Sequence, residues 1–151
     1  MRSHKLHGVS IPKSLLAIAR AGAGVNNIPV SDYTEKGIVV FNTPGANANA
    51  VKELVVASLL IGSRDIIGGI RYTNELINVD DSVEMNKSLE REKKRFAGQE
   101  IFGKTLGIVG LGAIGSMVAN LGCNLGMRVI GDDPAISVET AWHLSSQVQR
   151  M

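Results

Sequence analysis

The sequence predicts an α/β fold of parallel strands with helices between them, and three observations carry that expectation. An apolar run, Thr105-Leu106-Gly107-Ile108-Val109, leads straight into Gly110-Leu111-Gly112-Ala113-Ile114-Gly115, a G-x-G-x-x-G turn that opens a helix. A second apolar run at residues 127–131 delivers an acidic pair, Asp132-Asp133, about twenty residues after the middle glycine. Upstream, an apolar run at 15–19, a short helical stretch at 31–36 and the run Ile38-Val39-Val40-Phe41 again read strand, helix, strand. A glycine turn between strand and helix, with an acid closing the next strand, is the first half of a Rossmann-type doubly wound parallel sheet.

The elements follow in order along the chain. Residues 15–19, introduced by Pro12, read as a buried strand ending at Arg20, and the small residues Ala21-Gly22-Ala23-Gly24-Val25 form the turn behind it. The helix at 31–36 has Asp32 and Glu35 at capping-box spacing and Gly37 as its stop. Asn42-Thr43-Pro44-Gly45 breaks the strand pattern and turns the chain into its most apolar stretch. Residues 47–67 are expected to form one long buried helix, apolar on more than one side, which needs partners on several faces: between two lobes or in a subunit interface. Lys52 and Glu53 interrupt it, and it falls short of the twenty or so apolar residues that span a bilayer.

From 71 to 95 the charges alternate in sign, which fits a solvated helix or exposed connection and not a nucleic-acid surface. Residues 96–104 lead into the glycine-turn strand. Behind the turn there is room for a helix, a strand and one more helix, leaving a sheet edge open after Gly131. Gly122, inside the first of these helices, costs about 1 kcal/mol relative to alanine unless close packing requires it.

Composition sets the remaining bounds. The 151 residues are 44% hydrophobic and 20% charged, as in ordinary globular proteins, and the net charge of +2 points to neither a nucleic acid nor a membrane as partner. The single cysteine, Cys123, cannot form an internal disulfide and is expected to be a buried structural thiol. Met1-Arg2-Ser3-His4-Lys5 lacks the apolar core of a signal peptide, so a cytoplasmic protein is expected, and no metal site is.

The glycine turn has a direct chemical reading. Its first glycine permits the tight turn, the second lets backbone approach a pyrophosphate, and the third lets helix and sheet pack closely. The helix that follows aims unpaired N–H groups and its positive end at the phosphates.

Three segments extend the reading to a family. Arg20-Ala21-Gly22-Ala23-Gly24-Val25-Asn26-Asn27, Gly37-Ile38-Val39-Val40-Phe41-Asn42-Thr43-Pro44-Gly45 and Phe102-Gly103-Lys104-Thr105-Leu106-Gly107-Ile108-Val109-Gly110-Leu111-Gly112 stand in order and at the right spacing. Together they resemble the D-isomer-specific 2-hydroxyacid dehydrogenases, most of all the branch acting on 3-phosphoglycerate. The resemblance implies part of a flavodoxin-like substrate lobe at 1–45, an interlobe helix and charged connection at 46–96, and the first half of an NAD-binding Rossmann domain at 97–151. It implies that Arg2 and Arg20 hold the substrate phosphate, which a guanidinium fork suits. Ala23 and Gly24 would offer backbone N–H groups to the substrate carboxylate, and Asn42-Thr43-Pro44 would fix the first crossing between lobes.

In the cofactor half, the resemblance implies that Gly110, Gly112, Ala113, Ile114 and Gly115 cradle the pyrophosphate of NAD. Asp133, chosen over Asp132 by its register before Pro134, would accept from the adenosine ribose hydroxyls and favour NAD over NADP. The family's catalytic histidine, its carboxylate partner and its substrate-binding arginine have no counterparts here, since His4, His7 and His143 stand in other contexts. The expectation is therefore a fragment, cut at both ends and inactive alone. A homodimer or a complementing second chain is expected to accompany it. A non-catalytic nucleotide-binding or interaction module stays open as the alternative, as does an unstable remnant.

Overall fold

The computed structural model describes residues 5–77 and 80–150. They pack as two units, a first ending at Val51 and a second beginning at Lys52. Arg2 and His4 lie outside the described residues.

In the first unit, β1 (Ala17–Ala19) and β2 (Val39–Phe41) pair in parallel with Ile18 opposite Val40, and α1 (Val30–Glu35) crosses between them. Ile18, Ile28, Tyr33 and Ile38 form the core, flanked by Leu6, Ile11, Leu15, Val30 and Val40. The expected capping box does not form. α1 enters through Pro29 with no side-chain cap, and Asp32 falls inside its first turn, where its side chain is not at the N-cap position. The stop at Gly37 does form: Ile38 N bonds to Tyr33 O (2.8 Å) and Gly37 N to Thr34 O (3.0 Å), the paired bonds of a Schellman motif. Tyr33 and Ile38 then meet in the core, so the helix stop and the core specify each other.

The long helix differs most from expectation. α2 (Ala48–Ser63) ends four residues early, and α3 (Ile66–Leu76) starts anew with the Asp65 carboxylate accepting from Gly68 N at 2.9 Å. A side chain able to cap a fresh N-terminus competes with continuation of the helix, and here it prevails. Nor is α2 buried: of its residues only Ala48 is, while Leu54 is 68% exposed. The charged region is helical and solvated. α4 (Ser82–Glu92), capped by Asp81, continues into a 3-10 turn (Lys93–Phe96). Phe96 stacks on Tyr72 of α3 at 5.5 Å, and Tyr72 donates its hydroxyl to Ser88 O. Glu92 accepts from Arg95 and Arg91, which together hold its carboxyl below the usual range. Among the described residues no helix is long and apolar enough to cross a membrane.

The rest of the second unit is a parallel sheet in the order β3 (Thr105–Val109), β4 (Arg128–Asp132), β5 (Gln149–Arg150). β3 and β4 run in register from Thr105 opposite Arg128 to Val109 opposite Asp132. The edge expected to be open after Gly131 is paired, because Gly131 stands opposite Arg150. That strand is short and polar, so no alternation announces it, and its placement comes from tertiary bonds. Asn120 of α5 (Ala113–Asn124) donates to His143 O (2.8 Å) and accepts from Ser145 N (2.7 Å), tying down the segment between α6 (Val138–His143) and β5.

α5 covers one face of β3 and β4 through Ser116, Ala119 and Gly122, three residues apart and all buried. Ile108, Leu111, Ala119 and Val129 form this core, and Cys123 stands half-buried at its margin. A Cβ at Gly122 would lie 2.9 Å from both Leu106 Cδ2 and Val129 Cγ2, so close packing does require glycine there. The helix closes in a second Schellman motif, with Met127 N on Gly122 O (3.0 Å) and Gly126 N on Cys123 O (2.9 Å).

Two opposing terms meet at Gly122. Gly122→Ala gains about 1 kcal/mol in helix propensity and loses about 1–3 kcal/mol to overpacking against Leu106 and Val129, so net destabilisation is expected. A lower midpoint in urea unfolding at unchanged slope is the measurement.

Candidate nucleotide-binding site

The glycine turn stands at the carboxyl end of β3, where ligands of open parallel sheets bind. Gly110 takes φ +90°, a conformation L side chains rarely adopt, and donates its N–H to Asp132 O at 2.8 Å. Leu111 turns inward, its methyls 3.0 Å from the place a Cβ on Gly131 would occupy. Gly115 lies against the carbonyl oxygen of Gly110, where a Cβ would overlap it. Gly110 and Gly115 are thus required by the chain's own backbone and packing, and Gly131 leaves room for Leu111.

Gly112 is different. It caps α5 with φ −66° and ψ −162°, open to any residue, and a Cβ built there meets nothing within 4 Å. Nothing in the fold requires glycine at this position. The first helical bond runs from Ser116 N to Gly112 O (3.0 Å), so the amides of Ala113, Ile114 and Gly115 have no intrahelical acceptor. Gly112, Ala113 and Ile114 are exposed. The result is an open backbone cradle whose free donors suit an anion.

The two acids separate cleanly. Asp132 is the last ladder residue of β4 and engages the turn through its carbonyl. Asp133, one residue beyond the ladder, turns its carboxylate to the loop: Oδ2 accepts from Leu111 N at 2.8 Å and Oδ1 from Ala135 N at 2.9 Å. Gly110, Gly112, Ala113, Ile114, Gly115 and Asp133 are therefore brought to one place. Beside them opens a cavity of about 310 Å³, lined by Leu111, Asp133, Pro134, Ile136 and Leu144 and by Val148, Gln149 and Arg150 around β5. The Leu111–Asp133 bond and the β5 wall had no sequence signal beyond the acid itself.

In the first unit, the glycine turn and the Asn-Thr-Pro segment are stitched together. Arg20 N bonds to Phe41 O (2.8 Å), Gly22 N to Thr43 Oγ1 (2.8 Å), Thr43 N to Gly22 O (3.1 Å), and Asn42 Nδ2 to Ala23 O (2.8 Å). Arg20 is half-buried with its guanidinium folded over Gly22, where a Cβ would meet Nη1, and its Nε is buried with no hydrogen-bond partner. Ala23 and Gly24 stand exposed at the tip of the turn. His7 bonds to Asn26 O at 3.0 Å through Nε2 and is exposed, as is His143 at the end of α6. Among the described residues no group of three or more His, Cys, Asp or Glu could hold a metal ion.

Comparison with known proteins gives this geometry a family. The family described as "D-isomer specific 2-hydroxyacid dehydrogenase, catalytic domain" matches residues 8–147. The chain belongs to this family. It is 40% identical over 129 residues to a D-3-phosphoglycerate dehydrogenase of Methanocaldococcus jannaschii, covering 85% of this chain and 22% of that protein. It is 44% identical over 123 residues to a hydroxypyruvate reductase of Thermotoga maritima, covering 82% and 36%. The crystal structure of NAD+-bound 3-phosphoglycerate dehydrogenase of Entamoeba histolytica superposes with a TM-score of 0.59 at 30% identity, covering 85% of this chain and 34% of that one. The chain thus spans about a fifth to a third of the length of these relatives, and the α/β fold with parallel sheets is theirs.

The separation of the acids can be measured. Asp133→Ala leaves the Leu111 amide unpaired and is expected to cost about 1–3 kcal/mol, with faster hydrogen exchange at Leu111. Asp132→Ala retains the carbonyl bond to Gly110 and is expected to stay within about 0.5 kcal/mol of wild type.

Proposed function

We propose that this chain supplies the cofactor cradle and part of the substrate site of an NAD-dependent D-3-phosphoglycerate dehydrogenase. The whole protein would oxidise 3-phosphoglycerate to 3-phosphohydroxypyruvate with NAD as acceptor, a cytoplasmic reaction opening serine synthesis. On this reading residues 1–45 belong to the substrate lobe, 46–96 to the interlobe helix and its charged connection, and 97–151 to the first half of the cofactor domain.

The observation that carries the cofactor assignment is Gly112, a glycine the fold does not need, standing over open space at the start of a helix. A pyrophosphate drawn close to the backbone explains it, with the amides of Ala113 and Ile114 as donors and Gly110 and Gly115 shaping the turn. Asp133, beside the cradle, accepts from the ribose hydroxyls; each carboxylate oxygen has spare acceptor capacity after its one backbone bond. Its negative charge disfavours a ribose 2′-phosphate and so favours NAD. NAD supplies the hydride acceptor; this chain binds and orients it.

For the substrate, Arg20 supports a phosphate assignment through its buried, unpartnered Nε at the end of β1. Arg2 is proposed as its partner from sequence alone. Ala23 and Gly24 present backbone to the substrate carboxylate on a turn held rigid by Thr43 and Asn42. The acid–base step is not assigned to His7, exposed and bonded to the backbone at Asn26, or to His143, exposed at the end of α6. It belongs to groups that a complementing chain, or the rest of the protein, would provide. A second copy of the chain is the other proposed partner.

Titration with ADP and NADH, read by calorimetry or by the fluorescence of Trp142, tests the cradle. Saturable binding is expected. Gly112→Ala should stay within about 1 kcal/mol of wild type, since its φ suits alanine but alanine is the poorer N-cap, yet weaken both ligands at least tenfold. Wild-type affinity in that variant would remove the cradle assignment. Mixing with a chain that carries the remaining half, and following NADH absorbance with 3-phosphoglycerate as substrate, tests the oxidation.

A further inference from the structure

We infer that Arg150 is a second determinant of the nucleotide accepted, placed to hold a phosphate on the adenosine ribose, so that a 2′-phosphorylated nucleotide is admitted beside the plain one. The inference rests on the reading above that this recess takes the adenosine half. It adds a role for a residue on β5, a strand outside the glycine turn and its acid.

The placement comes from the sheet. Arg150 stands opposite Gly131 in the parallel ladder between β4 and β5, and Asp133 lies two residues beyond Gly131. Both charged residues line the same cavity of about 310 Å³. Its other walls include Leu111, Pro134, Ile136 and Val148, which suit the face of a base better than a charge.

Arg150 is also free to act. On α4 and the turn behind it, ion pairs join Glu84 to Lys87, Glu90 to Lys93, and Glu92 to Arg91 and Arg95. Arg150 belongs to none of them and forms no ion pair with Asp133 or Asp132. The Asp133 oxygens are instead engaged by Leu111 N and Ala135 N.

The recess is therefore lined by two unlike charges that do not pair with each other. A carboxylate alone accepts from ribose hydroxyls and repels a 2′-phosphate; a guanidinium on the wall of the same recess offers paired N–H donors in the geometry a phosphate takes. Asp133 sets the preference for the plain ribose, and Arg150 narrows it.

Parallel titrations of the full chain with 5′-ADP and with adenosine 2′,5′-bisphosphate test this. In the wild type the two ligands are expected to bind within about tenfold of each other. Arg150→Ala should weaken the bisphosphate at least about tenfold while leaving ADP within about twofold, and Arg150→Lys, which keeps the charge but not the fork, should fall between. Equal weakening of both ligands, or none for the bisphosphate, would overturn the role of Arg150 and leave the cradle intact. Absence of saturable ADP binding would remove the adenosine reading itself, and the role of Arg150 with it.

Discussion

The contact on which the second unit depends is the close approach of α5 to β3 and β4. A helix normally rides on its side chains above a sheet. Here Gly115 lies against the carbonyl of Gly110 and Gly122 sits between Leu106 and Val129, so the helix axis is drawn toward the strands at both ends. That approach buries Ala119 completely and puts Ile108 and Val129 in contact with the helix face. It also decides where the helix begins. The N-terminus cannot lift away from the end of β3 without opening the packing at Gly115, so its free amides are held at the carboxyl edge of the sheet.

The loop at that edge is closed from the other side by one carboxylate. The register of β3 with β4 ends at Val109 and Asp132, and the next residue leaves the ladder. Asp133 is therefore the first acid whose side chain is free to turn toward Leu111 rather than stand within the pleat. A single-residue shift would put Asp132 at the loop and break the bond from Gly110 to the Asp132 carbonyl. The strand register and the position of the acid are thus one constraint seen twice. The first unit uses the same economy: Thr43 both accepts from Gly22 and donates to it, so the glycine turn and the segment after β2 cannot move separately.

How much of this is legible in the sequence depends on whether the signal is local. Gly37 as a helix stop and Gly110 as a tight turn follow from backbone geometry that few other residues adopt, and both are where the pattern places them. The preference for Asp133 follows from register before Pro134. The break between α2 and α3 was also local in kind: Asp65 ahead of an apolar pair is a capping signal, masked by the apolar run on either side. β5 was not legible, because Gln149 and Arg150 have no strand pattern and reach β4 only through the segment before them, which Asn120, far away in the chain, ties down at His143 and Ser145. The exposure of α2 was not legible either. A helix apolar on several sides announces that it needs partners, but not whether they come from its own unit.

The glycines separate fold from function more sharply than motif matching does. A glycine can be required by a positive φ, as at Gly110, or by a neighbour too near for a Cβ, as at Gly115 and Gly122. Those requirements are met inside the chain, and a protein that bound nothing would keep them. Gly112 meets neither condition; as an N-cap it could be replaced by serine, asparagine or aspartate without strain. A G-x-G-x-x-G pattern therefore contains two kinds of evidence. Its first glycine reports a tight turn and its third a helix packed closely on a strand, whereas its second answers to neither requirement.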